Sequence, residues 1–133
     1  MSNHGNVEIV KQVYAAFGKG DLQALLGLLV PDVDWTIPGS APWSGEGRGH
    51  DYVMRFFQTF GSLAALNAFE PQSFLADGDR VAVTGYEEGT VRETGKAWKS
   101  HFTHLFTIAN GKVTAHREYA DTEAIAKAFH ARA

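Results

Sequence analysis

Cysteine is absent from the chain. That excludes a disulfide scaffold, a thiol nucleophile and any zinc or iron–sulfur centre built on thiolates. A surplus of positive charge is missing too: 12 Lys and Arg stand against 15 Asp and Glu, a formal charge of −3. With no basic stripe, nucleic acid is not an expected partner. The longest apolar run, Leu22 to Val30, is interrupted by Gln23 and ended by Pro31, too short to cross a bilayer. The opening Met1-Ser2-Asn3-His4-Gly5 has neither the charged start nor the apolar stretch of an export signal. The expectation is a cytoplasmic protein with no membrane contact. Repeats, low-complexity tracts and linkers are lacking, and 133 residues fit one domain, 1–133. What is present is globular composition, 44% hydrophobic and 20% charged, which argues against disorder.

Periodicity then orders the chain. Val7, Val10, Tyr14 and Phe17, widened by Ile9 and Val13, predict a first helix, with Asn6 as its N-cap and Gly18 and Gly20 ending it. Asp21 caps a second short helix carrying Leu22, Leu25, Leu26 and Leu29, stopped by Pro31. A short strand, Val33 to Ile37, leads into a loop dense in glycine and proline between Pro38 and Gly49. Tyr52, Val53, Phe56, Phe57 and Phe60 mark a third helix from His50 or Asp51. Strands follow at Gln72–Ala76, Arg80–Val91, Trp98–Ile108 and Val113–Ala120, separated by Asp77-Gly78, Thr94-Gly95 and Asn110-Gly111. A last helix starts at Asp121 and carries Lys127, His130 and Arg132 near its end, where the helix dipole favours cations. Helices first and long antiparallel strands after them predict an α+β fold.

Several stretches carry a family resemblance. They are Val13 to Leu22 (VYAAFGKGDL), Pro31-Asp32-Val33-Asp34-Trp35, His104 to Val113 (HLFTIANGKV) and Arg117 to Thr122 (REYADT). Their order resembles the SnoaL-like and ketosteroid-isomerase-like branch of the nuclear-transport-factor-two-like superfamily, which shares its fold with cystatin-like proteins. The resemblance implies a cone, in which a curved antiparallel sheet wraps around N-terminal helices and an apolar pocket opens at the wide end. Members use that pocket as an enzyme site or as a receptor, so the fold leaves the activity open.

If Asn110-Gly111 makes a two-residue turn, Leu105 opposes His116 and Thr103 opposes Glu118. One face then carries His101, Thr103, Leu105, Thr107, Thr114, His116 and Glu118. The other carries Phe102, His104, Phe106, Ile108, Val113, Ala115, Arg117 and Tyr119. In the isomerase branch the positions matching Thr103 and Glu118 point into the cavity. The resemblance therefore puts the first face inside and leaves Phe102, Phe106 and Ile108 on an outer face, apolar enough to call for a homodimer partner.

Glu118 is the candidate general base. SnoaL-like cyclases end a Gly-Lys-Val/Ile-x-x-His-x-Asp pattern on such a carboxylate, and this chain reads Gly111-Lys112-Val113-Thr114-Ala115-His116-Arg117-Glu118, with Glu for Asp. An apolar cavity makes a carboxylate a stronger base by disfavouring its charge. The plainer alternative is an ion pair with Arg48, Arg55 or Arg117. His101 and His116 could orient that carboxylate or serve a substrate oxygen; alternatively each is a buried, hydrogen-bonded histidine. His104, by this parity, serves the sheet or the dimer. His101, His116 and Glu118 are ligand types a metal accepts, but the resemblance implies no metal and no cofactor.

Thr36, Trp35, Tyr14, Thr103 and Leu105 are expected to contact substrate, and Trp43 is either a lid or a ring tucked against the third helix. Glu87 and Glu88 face opposite ways, and the sequence does not say which is inward. Asp121 is explained by capping alone. Gly45-Glu46-Gly47-Arg48-Gly49 lacks phosphate-cradling spacing, and no serine sits in a nucleophile elbow. The expected function is a cofactor-free cyclase- or isomerase-type proton transfer on a small apolar carbonyl compound. The alternatives are a receptor or carrier with the same pocket, and a dimeric association module. A true ketosteroid isomerase is not expected. Alignment on that branch puts Val13 where its tyrosine stands, and Thr36 and Thr103 where its two acids stand.

Overall fold

The computed structural model describes residues 3–130. Among them lie four helices and six strands in the order α1 Asn3–Gly18, α2 Leu22–Gly27, β1 Leu29–Ile37, β2 Gly45–Arg48, α3 His50–Leu63, β3 Ala64–Asp77, β4 Arg80–Val91, β5 Ala97–Ala109, β6 Lys112–Ala120 and α4 Thr122–Ala128. All strands join one sheet in the order β2-β1-β6-β5-β4-β3. Only the β1–β6 pair runs parallel. The helices cover the concave face of this curved, unclosed sheet. Val10 and Val13 of α1, Leu25 of α2 and Val53 of α3 are buried with Val81, Val83 and Phe106 of the sheet.

Local chemistry explains most boundaries. Asp21 and Asp121 each accept a hydrogen bond from the backbone N–H three residues on, Ala24 and Ala124, both at 3.0 Å. Asn6 is not the expected N-cap: α1 begins at Asn3, and Asn6 is buried within it, donating from Nδ2 to the carbonyl of Gly78 at 3.0 Å. It thereby pins the helix to the β3–β4 turn. The glycine-rich loop holds a short strand, β2, which pairs with β1. The Tyr52 ring lies where a side chain at Gly47 would be, so this strand tolerates only glycine there. The strand expected at Gln72–Ala76 is the end of a longer one. Asn67 and Pro71 interrupt its pattern, and both coincide with register shifts, Leu66/Ala68 and Pro71/Ser73, on an edge strand. The last helix ends at Ala128, before His130, and Arg132 lies outside the described residues.

Two features bend the sheet. Gly85 and Gly89 sit on the inner face of β4, where the rings of Phe102 and Trp98 occupy the space their side chains would take. A bulge interrupts the β5–β6 ladder between Thr107 and Ile108: Thr107 pairs with Ala115, but Ile108 pairs with Val113, leaving Thr114 extra.

That bulge, with the alternation on β5, corrects the expected faces. Trp98, Ser100, Phe102, His104, Phe106 and Ile108 are the buried row of β5, while His101 is exposed and Thr103 and Leu105 lie on the outer side. The extra residue shifts β6 by one, so His116 opposes Phe106 and Glu118 opposes His104. Residues directly opposite share a face. His116 and Glu118 are therefore inward as expected, but with His104 beside them in place of His101 and Thr103. Phe102, Phe106 and Ile108 are core, not an outer apolar row, and the reason for seating a partner chain on them falls away. No described helix is long and apolar enough to cross a membrane.

Candidate functional site

A cavity of about 90 Å³ lies between the concave sheet and helices α1, α3 and α4. Its walls are mostly aromatic: Phe17 from α1, Phe56, Phe57 and Phe60 from α3, and Phe69 and Phe106 from the sheet. Trp35 and Ile37 of β1 line it as well, because β1 turns every second residue from Val33 inward. Thr36 and Asp34 consequently point out; Asp34 forms an exposed ion pair with Arg48 at 3.0 Å. Trp43 is no free lid. It is buried against Phe60 and Phe129, with ring centroids 4.5 and 5.2 Å away, and forms part of the wall.

Besides the indole nitrogens of Trp35 and Trp43, five lining residues carry polar side-chain atoms: Tyr14, Glu87, His104, His116 and Glu118. Three of them form a chain. The Tyr14 hydroxyl lies 2.8 Å from His104 Nδ1, and His104 Nε2 lies 3.2 Å from Glu118 Oε1. Burial, reinforced by the Glu118 charge, pushes the Tyr14 hydroxyl far above its ordinary range, so it keeps its proton. With that proton donated to His104 Nδ1, the ring's own proton sits on Nε2 and is donated to Glu118. This assignment satisfies both contacts and holds the carboxylate in one orientation. Of the expected ion-pair partners, Arg117 is turned out toward the Tyr119 ring and Arg48 is taken by Asp34.

Glu87, and not Glu88, is the inward one of the pair. It is 6% exposed, and its Oε2 accepts a hydrogen bond from the Trp98 indole at 2.8 Å. Burial, then the nearby Glu118 charge, raises its carboxyl to about 7, against the Trp98 bond, which pulls it down. His116 is shifted the other way: burial, helped by His104, holds it well below the ordinary imidazole range, so the ring is neutral. It stacks on Trp35 at 4.1 Å between ring centroids. His116 Nδ1 and Trp35 Nε1 are buried with no hydrogen-bond partner among the described residues. Both rings line the cavity, and an unmatched buried donor or acceptor costs about 1–3 kcal/mol.

The structure thus brings together Glu118, His116, Trp35, Tyr14 and Trp43 of the residues expected from sequence. It separates His101, Thr103, Leu105 and Thr36, which lie on the other side of the sheet. With His101 there, the three candidate metal ligands do not converge. His104 and Glu87 were missed as site residues. A parity count that allowed one bulge after the Asn-Gly turn would have found His104, and period-two alternation along β4 would have found Glu87, which shares its row with Val81, Val83 and Val91.

The chain resembles known proteins in sequence and in structure. Residues 10–116 match the SnoaL-like domain family. An NTF2-like protein of Burkholderia xenovorans LB400 has a similar structure, with 38% identity over 98% of this chain and 99% of that one and a TM-score of 0.91. TerC, crystallised together with polyporic acid, is 28% identical over 93% of this chain and 97% of its own, at a TM-score of 0.84. An uncharacterised protein of Mycobacterium tuberculosis is 26% identical, covering 98% of this chain and 100% of that one.

Proposed function

The chain belongs to the SnoaL-like family of NTF2-like proteins, and from that premise we propose that it binds a small cyclic carbonyl compound in its cavity and moves a proton on it, with Glu118 as general base. The observation that carries this reading is the Tyr14–His104–Glu118 chain at the cavity wall. Glu118 takes a proton from the carbon beside the carbonyl, electrons move onto the oxygen, and the proton returns at another carbon. His104, held by Tyr14, positions the carboxylate and touches no substrate itself. The Trp35 N–H has no partner among the described residues and would be the donor to the oxygen where charge develops. No step calls for a cofactor. The co-crystallisation of TerC with polyporic acid agrees with small-molecule occupancy in this fold.

The substrate is not a Δ5-3-ketosteroid. The two positions aligned with that branch's acids, Thr36 and Thr103, lie outside the cavity, and their inward neighbours Trp35, Ile37, Phe102 and His104 carry no carboxylate. Tyr14 does reach the cavity, beside Val13. A space of about 90 Å³ takes a few waters or one small ring.

The test uses cyclohex-3-enone, one ring with an acidic carbon flanked by a carbonyl and an alkene. Its conversion to the conjugated enone is followed by ultraviolet absorbance. The expected result is acceleration over buffer, lost about 10²-fold or more in Glu118→Gln, the usual range for a general base. A rate indifferent to Glu118→Gln refutes the reading. Binding of the ketone with no acceleration makes the chain a carrier.

A further inference from the structure

We propose that the cavity selects a compact ring compound bearing a positively charged amine, and that Glu87 is the residue that senses the charge. This shares with the reading above only the premise that the cavity holds a ligand; it does not need Glu118 to act as a base.

The charges on the wall all have one sign. Glu87 enters from β4 and Glu118 from β6, and neither lysine nor arginine is among the described residues that line the space. Both imidazoles are spoken for: His104 lies between Tyr14 and Glu118, and His116 is kept uncharged by its burial. An anionic ligand would meet two carboxylates and neither lysine nor arginine, in a setting where unpaired charge is expensive. A cation meets its counter-charge.

The remaining groups also suit a donor. The Trp98 indole occupies Oε2 of Glu87, so a ligand meets Oε1. His116 Nδ1, on a ring only 6% exposed at the cavity wall, has no partner among the described residues. With the ring proton on Nε2, that atom is an acceptor. The surrounding rings of Phe17, Phe57, Phe60 and Trp35 offer π faces, which attract alkylammonium groups once water is excluded. The unpartnered Trp35 N–H would take an oxygen elsewhere on the same molecule.

Glu87 makes this preference pH-dependent. The titratable groups sharing its cavity are Glu118 and His116 on β6, His104 on β5 and Tyr14 on α1. The faces presented by α3, α4 and β3, including Phe56, Ile125 and Leu66, carry no charge. A carboxyl titrating at about 7 is roughly one-tenth ionised at pH 6 and nine-tenths at pH 8. If the cation binds the ionised form, its affinity rises about tenfold over that interval.

Three probes of similar size test this: benzylammonium, which stays protonated at both pH 6 and pH 8, benzyl alcohol and benzoate. Binding is measured by calorimetry on the full chain at pH 6 and pH 8. The expected result is that the ammonium binds about tenfold or more tightly than the alcohol at pH 8 and that benzoate does not bind. The ammonium's affinity should also rise about tenfold from pH 6 to 8, and Glu87→Gln should abolish the rise. The proposal is overturned if the ammonium fails to bind or does not exceed the alcohol, if benzoate matches it, or if Glu87→Gln keeps the rise. Should Glu87→Gln not fold, Trp98→Phe replaces it. Loss of the indole N–H raises the Glu87 carboxyl and moves the affinity rise to higher pH, and an unmoved rise overturns the assignment. Ketone isomerisation reads Glu118, so either proposal can fail alone.

Discussion

Replacing Glu87 by glutamine should make the protein more stable at pH 8 and leave it nearly unchanged at pH 4. The carboxyl is lifted from 4.5 to about 7 in the folded chain, chiefly because burial disfavours its charge. A raised folded-state value means that the folded protein holds a proton that the unfolded chain has released. Stability therefore falls as pH climbs above about 4.5 and levels off beyond about 7. The shift amounts to roughly 3 kcal/mol at about 1.4 kcal/mol per unit, an order-of-magnitude figure. Glutamine is never ionised and keeps an oxygen for the Trp98 indole, so the variant avoids this cost without losing that bond. For a domain of this length the gain corresponds to a rise in Tm of about 10 °C at pH 8. Urea melts of both proteins from pH 4 to pH 8.5 read the difference directly, and His116 and the other titrating groups cancel in the subtraction. A difference that stays flat across pH 5–7, or a variant less stable at pH 8, would show that Glu87 is ionised and compensated in the native protein and is no charge sensor.

Other changes separate the inner from the outer face of the sheet. Tyr14→Phe removes the hydroxyl that meets His104 Nδ1, and urea unfolding should show a loss of about 1–2 kcal/mol, the cost of orphaning a buried polar atom. His101→Ala, on the exposed side of the same strand, should stay within about 0.5 kcal/mol of the parent and leave ketone isomerisation untouched. Gly89→Ala puts a methyl group where the Trp98 ring lies, so it should destabilise by about 1–3 kcal/mol and change the tryptophan fluorescence. His116→Phe removes a buried imidazole whose folded-state value is depressed. Its stability relative to the parent should grow as pH falls below about 6.5, where the parent's unfolded state gains a proton that its folded state resists; equal acid sensitivity in thermal melts would refute a neutral, buried His116.

Local residue chemistry sufficed for much of this protein. The caps at Asp21 and Asp121, the strand Arg80–Val91 and the Asn110-Gly111 turn follow from side-chain geometry and backbone preference within a few residues, and the structure has each of them. The order of elements and the motif runs likewise sufficed for the α+β cone. The site was only partly legible, because it depends on which way strand residues point. Period-two alternation is reliable along an unbroken ladder, and a single extra residue reverses it. Thr114 is that residue, and no feature of Val113-Thr114-Ala115 announces a bulge. It arises where β6 must pair with β5 on one side and parallel β1 on the other while the sheet curves. That reversal carries His116 and Glu118 to the side of His104 and Phe106 and leaves His101 and Thr103 outside. Glu87 belongs to the legible part, because Val81, Val83 and Val91 fall on its row of the unbroken β4–β5 ladder and Glu88 does not; only the pairing of β4 with β5 supplies the Trp98 indole that meets the buried carboxylate there.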